Sequence, residues 1–142
     1  MPERYPTVFA TVDVVLKKDG KFLLGRKPHQ EKFRFVGGFA DPAFDNSYED
    51  SAKREAKEET GLDVVSVKYL GSARIDDPRY RGTPDCIITH LFLAEEWQGS
   101  PVATDDIAEL RWFDESEMNA SVFVDEHHVL WDLYCKAFPA NA

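Results

Sequence analysis

The alternation of apolar and polar positions divides the chain into short strands separated by turn residues, with two stretches of helical rhythm. Thr7–Lys17 is rich in valine and reads as a strand, Lys18-Asp19-Gly20 as a turn, and Lys21–Arg26 as its hairpin partner. Phe33–Val36 is a short apolar run ending on the pair Gly37-Gly38. Val64–Ser72, Cys86–Ala94 and Glu109–Phe113 predict further strands, the last followed by a turn or short helix over Asp114–Met118. The helical stretches are Ser47–Thr60 and Asp125–Phe138, the second amphipathic with Val129, Leu130, Leu133 and Tyr134 inward. A helix among hairpin-like strands and another at the end predict an α/β fold, a mixed sheet sandwiched by helices. No repeat interrupts the pattern, and residues 1–142 are expected to form one domain with a core of its own.

The first helix breaks the usual pattern. At about 100° per residue, Tyr48, Ala52 and Ala56 define its apolar stripe, yet Glu55 and Glu59 fall inside that stripe and Glu58 flanks it. Lys53, Lys57 and Asp50 point the other way. Like charges at i,i+4 cost roughly 0.2–0.5 kcal/mol on an exposed helix, and more where solvent is partly excluded. Something cationic is needed. A hard divalent ion suits such a set, since magnesium takes oxygen ligands from one or two carboxylates plus substrate phosphates. Arg54 could hold one carboxylate, and Gly37-Gly38 read as a turn whose glycines tolerate unusual dihedrals and let the backbone approach an ion or phosphate. Together these residues suggest metal-assisted phosphoryl chemistry.

Arg54-Glu55-Ala56-Lys57-Glu58-Glu59-Thr60-Gly61-Leu62 resembles the second half of the signature of the Nudix hydrolases. The first half departs from it. Asn46 stands where the family has Glu, and Gly38 lies eight residues before Asn46 rather than six, so the loop Asp41-Pro42-Ala43-Phe44-Asp45 is two residues longer. Asn46 with Glu49, or Ser47 with Asp50, offers a capping arrangement for the helix start. The resemblance runs from the opening strand to the terminal helix and implies a Nudix-type α/β/α sandwich. It implies a pyrophosphate-cleaving hydrolase with Arg54, Glu55, Glu58 and Glu59 as catalytic residues. Gly38 (through its backbone), Glu55, Glu58 and Glu59 would hold Mg²⁺, or Mn²⁺ in its place, and activity would fall in acid because the ligands must be ionised.

The loop Arg74–Pro84 is locally basic and aromatic, and Arg74, Arg79, Tyr80 and Arg81 are candidate substrate contacts, with a solvated surface loop as the plain alternative. It is similar to loops of the ADP-ribose-cleaving branch, including Nudix domains fused to nicotinamide-mononucleotide adenylyltransferases. ADP-ribose or a related dinucleotide is therefore the expected substrate. House-cleaning of nucleoside triphosphates and a non-catalytic nucleotide-binding module are the alternatives, and a structural helix neutralised by Lys and Arg is the plainest one. Asp106 and Glu109, on the approach to the late strand and at its start, are candidates for a further ligand, a base or a substrate contact, with solvated loop charges as the plain alternative. Arg26, Lys27 and Arg34 flank the glycines and could meet phosphates, with exposed hairpin charges as the default reading.

Composition narrows the partners. A net charge of −9 argues against general affinity for nucleic-acid backbones, and a small nucleotide is the ligand that the family resemblance implies. No apolar run reaches membrane-spanning length, and Met1-Pro2-Glu3-Arg4-Tyr5 lacks a signal-peptide core, so a cytoplasmic location is expected. Cys86 and Cys135 have no metal-type spacing and read as buried free thiols. His90 reads as a core or cleft histidine, and His127 and His128 as exposed at a helix start. The family resemblance allows a homodimer.

Overall fold

The computed structural model describes residues 5–139. Six strands, Val8–Lys18 (β1), Lys21–Arg26 (β2), Val36–Phe39 (β3), Asp63–Ile75 (β4), Cys86–Gln98 (β5) and Glu109–Asp114 (β6), form one sheet. The valine-rich β1 is its spine. It runs parallel to β5 on one side and, on the other, antiparallel to β3 through Thr11–Val14 and to β2 through Leu16–Lys18. β4 lies beyond β5 and β6 beyond β2, both antiparallel, so the sheet is mixed as expected. Asp19 and Gly20, at φ 53° and 74°, close the β1–β2 hairpin with the left-handed pair that a two-residue turn requires.

Successive β1 side chains go to opposite faces. Val12, Val14 and Leu16 join Ala52, Ala56, Leu62 and Phe92 under helix α1 (Tyr48–Thr60). Val15 joins Phe22, Phe35, Leu91, Phe123, Leu130 and Tyr134 on the face covered by α2 (His128–Ala137). The result is the α/β/α sandwich. Asp13 shares the parity of Val15, which places a carboxylate in the α2-side layer.

Several boundaries differ from the sequence reading. β4 and β5 run thirteen residues each, because their long antiparallel ladder supports residues that pattern alone leaves as loop. A 3₁₀ turn over Asp125–His127 precedes α2, which starts only at His128. The thiols are free but not buried: Cys86 is half-buried and Cys135 is exposed, one position round the helix from the inward Tyr134. No helix among the described residues is long and apolar enough to cross a membrane.

Candidate active site

Helix α1 begins at Ser47, whose Oγ accepts the Asp50 N–H at 3.1 Å, while Asp50 Oδ2 accepts the Asn46 N–H at 3.2 Å. The cap is thus the Ser47–Asp50 pair, and Asn46 stands just outside. The helix ends at Gly61, at φ 75°, whose N–H bonds Lys57 O. Its inward face carries Ser51, Ala52, Glu55, Ala56, Glu59 and Thr60. Glu55 and Glu59 are 8% and 3% exposed, whereas Glu58 is exposed, as the periodicity places them. Tyr48 departs from the stripe: it is exposed and stacks on His90, ring centroids 4.1 Å apart.

Gly37-Gly38 is not a turn. Both residues lie in β3, neither has positive φ, and what they supply is room. A Cβ on Gly38 would stand 2.6 Å from the Glu55 carboxyl; one on Gly37 would stand 2.0 Å from Val12 O and 2.6 Å from Asp13 Oδ1. The strand therefore separates two polar groups, Glu55 on the α1 face and Asp13 on the other. Its backbone also holds an acid, since Gly37 N–H donates to Glu59 Oε1 at 2.8 Å.

Arg54 is the hub of the acidic face. Its Nη1 donates to Glu55 Oε1 at 3.0 Å and Glu58 Oε1 at 3.1 Å, and its Nη2 to Phe39 O at 3.0 Å. Nε and Nη2 also grip both oxygens of Asp45, each at 2.8 Å. Asp45 Oδ2 further accepts from Ser51 Oγ and from Asp41 N–H. The Arg54 guanidinium and these donors hold the Asp45 carboxyl well below the usual carboxylate range. Asp45 went unnoticed in the sequence. The longer loop brings this neighbour of Asn46 to Arg54, and a carboxylate beside the vacant motif position was the signal available.

The segment before β6 closes the site. Val102 and Thr104 N–H donate to Thr60 O and Glu59 O, pinning the segment against the helix end. Carboxylate oxygens of Glu59, Asp105 and Asp106 then lie within 4.8 Å of one another. Asp105, at φ 58°, was not singled out from sequence, and Asp106 pairs with Lys27 at 3.3 Å. Burial pushes Glu59 up to about 8, opposed by the Gly37 N–H and reinforced by Glu55 and Asp106. Burial raises Glu55 also, against the pull of Arg54. Glu109 faces Arg26 at 3.0 Å and does not line this cavity.

Across the glycines lies a second cavity of about 320 Å³, bounded by Asp13, Arg34, Phe39, Arg79 and His127 among others. Of the basic loop, Arg79 reaches it, held on Asp77 at 2.9 and 3.1 Å with its guanidinium 5.7 Å from the Phe39 ring centre. Arg74, Tyr80 and Arg81 line a separate outer cleft, where Arg81 grips Asp76 and Tyr80 stacks on Phe9. His127 is buried rather than exposed, because the 3₁₀ turn tucks it under Phe35. Its Nδ1 accepts the Phe35 N–H at 3.2 Å, and its Nε2 lies 3.7 Å from Asp13 Oδ1. The two do not form an ion pair: burial, with Arg34 and Lys27 nearby, lowers His127 to about 3, and burial raises Asp13 to about 7 despite the Thr89 hydroxyl on Oδ2.

A NUDIX domain model matches residues 7–132. The chain belongs to the Nudix family. Over 114 residues it is 29% identical to the NAD-capped RNA hydrolase NudC of Vibrio atlanticus, an alignment covering 78% of this chain and 39% of that one. Over 122 residues it is 27% identical to the oxidized purine nucleoside triphosphate hydrolase of Danio rerio, covering 83% and 73%. The chain thus spans well under half the length of the first relative. The NUDIX domain of Shewanella oneidensis NrtR, solved with ADP ribose, shares the fold at TM-score 0.73 and 20% identity, over 96% of this chain and 92% of that one.

Within this Nudix domain the donor set suits a hard divalent cation. Every side-chain candidate is a carboxylate oxygen, the cluster is buried at Glu59 and open at Asp105 and Asp106, and the Lys27 ammonium meets it at Asp106. Two buried acids raised by desolvation are what a cation would relieve.

Proposed function

We propose that the chain hydrolyses the pyrophosphate of a nucleoside diphosphate linked to another group, ADP-ribose or a related dinucleotide, with Mg²⁺ or Mn²⁺ as cofactor. The observation that carries this reading is the pair of cavities sharing the wall Gly37-Gly38-Phe39, one lined by acids and the other by Arg34, Arg79 and His127. A nucleotide laid across that wall puts its phosphates beside the acids and its organic end in the second cavity. Glu55, Glu58 and Glu59 would hold the ion with the backbone near Gly38, joined by Asp105 and Asp106. When bound, such an ion screens phosphate charge and lowers the pKa of a water it carries.

The chain's own groups do the positioning that phosphoryl chemistry chiefly needs. Arg54 fixes the Glu55 carboxylate, which is placed to accept a proton from the attacking water. Gly37 N–H fixes Glu59. Lys27, Arg34 and Arg79 offer cations to the phosphates where a nucleotide crosses the glycines, Arg79 by exchanging Asp77 for a phosphate oxygen. Arg74, Tyr80 and Arg81 stand farther out and would meet the distal group of a long substrate, while Asp106 and Glu109 steer Lys27 and Arg26.

Hydrolysis of nucleoside triphosphates is the second reading, favoured by the similarity to the oxidized purine nucleoside triphosphate hydrolase. The test is a screen of ADP-ribose, NADH, nucleoside diphosphate sugars, dinucleoside polyphosphates and nucleoside triphosphates with Mg²⁺, repeated on Glu59→Gln. ADP-ribose or a dinucleotide should be the best substrate, and the substitution should lower kcat by about 100-fold or more. Turnover unchanged in Glu59→Gln would overturn the site.

A further inference from the structure

The second cavity holds two side chains that the chemistry above does not use, Asp13 and His127, each more than nine-tenths buried. Their hydrogen bonds fix what they can offer. Phe35 N–H donates to His127 Nδ1, so that nitrogen carries no proton, and the neutral ring must carry its proton on Nε2. Asp13 has one oxygen committed, since Oδ2 accepts the Thr89 hydroxyl. Asp13 Oδ1 accepts no hydrogen bond among the described residues and lies 3.7 Å from His127 Nε2, too far for a bond between them. The His127 Nε2–H donor and the uncommitted Asp13 oxygen, an acceptor when the carboxyl is ionised, therefore stand side by side, both residues lining the cavity and neither satisfied by the other.

We propose that Asp13 Oδ1 and His127 Nε2–H read the polar edge of the substrate's nucleobase, a planar heterocycle with a hydrogen-bond donor next to an acceptor. This deepens, and rests on, the nucleotide reading above. The surroundings exclude two other occupants. A metal ion is excluded because Nε2 bears the proton and Arg34 lines the same cavity. A phosphate is excluded from this pair, because its acceptor oxygens would face Asp13 Oδ1, and it keeps instead to the cations Lys27, Arg34 and Arg79 that also line the cavity. A flat ring fits: Phe35, Phe39, Ile75 and Ile87 supply apolar walls, and the cavity is at the lower end of the size usual for ligand pockets. The glycine strand then sets the division of labour, with base on the Asp13 side and phosphates toward Glu55.

The test uses nucleoside 5′-monophosphates, which have no pyrophosphate to cleave, titrated calorimetrically without divalent ions. The best natural monophosphate should bind about tenfold or more tightly than purine riboside 5′-monophosphate, which lacks exocyclic groups. Asp13→Ala and His127→Phe should each erase most of that gap, and His127→Gln, whose amide N–H can stand in for Nε2–H, should keep part of it. Should these variants not fold, nitrogen-15 NMR of the wild-type imidazole decides. It should show the Nε2-protonated tautomer, with its proton resonance moved by the natural ligand and not by the purine analogue. Equal affinity for natural and stripped bases, a gap that survives both deletions, or an Nε2–H untouched by ligand would overturn the proposal. Pyrophosphate hydrolysis without base preference would overturn this inference alone, while base-selective binding without hydrolysis would support it and sink the hydrolase reading.

Discussion

Gly37 and Gly38 show how adjacent identical residues serve different ends. At Gly38 the intruding atom would be the tip of Glu55, a side chain that can swing away. At Gly37 it would be the Val12 carbonyl, which cannot. Gly38→Ala should therefore leave the melting temperature nearly unchanged while displacing Glu55, and on the proposed reading it lowers kcat more than it raises KM. Gly37→Ala should cost about 3 kcal/mol or more, at or beyond the upper end of ordinary overpacking. Parallel thermal melts and steady-state kinetics on the two variants check this; equal loss of stability in both would refute it. The sequence reading took both glycines for a turn, whereas they lie in β3, because a turn-like dihedral cannot be told from a crowded strand without the neighbours. Asp13 was missed for a related reason. In a valine-rich strand its parity is visible, but its partners Thr89 and His127 come from distant segments.

At the scale of elements, the loop entering α1 and the helix form one unit through Asp45 and Arg54. Because Asp45 is held below the usual carboxylate range, its stabilisation is complete above the unfolded value near 3.9 and fades as pH falls toward the folded value. Asp45→Asn should thus destabilise by about 2 kcal/mol near neutral pH, and the difference from wild type should shrink below about pH 4. Denaturant melts across that range measure it, and a pH-independent difference would show that the charge is not what matters. The acidic face of α1 was legible because helical spacing is local information: Glu55 and Glu59 are buried and Glu58 is not, as the count of residues requires. Asp45 and Asp105 were not legible, since a two-residue loop extension and a segment pinned to Thr60 and Glu59 decide their positions. The stretched loop departs from the family pattern in sequence more than in charge, because it still delivers a carboxylate to Arg54.

For the whole molecule, a sheet covered on both faces gives the site a wall only one strand thick, with acids on one side and a donor–acceptor pair on the other. The chain carries nine net negative charges, yet its cations Lys27, Arg34 and Arg79 gather where the glycines separate the two cavities. That distribution supports an anionic ligand drawn to one place rather than to the surface at large. The claim on which the rest depends is that the buried glutamates await a divalent ion. Thermal unfolding with increasing Mg²⁺, on wild type and on Glu59→Gln, tests it without any choice of substrate. The account predicts a wild-type melting temperature that climbs with Mg²⁺, reaching about 2.7 kcal/mol of added stability at a hundred times the dissociation constant, and a Glu59→Gln protein that gains little. A wild type indifferent to Mg²⁺, or a variant stabilised as much as wild type, would contradict it.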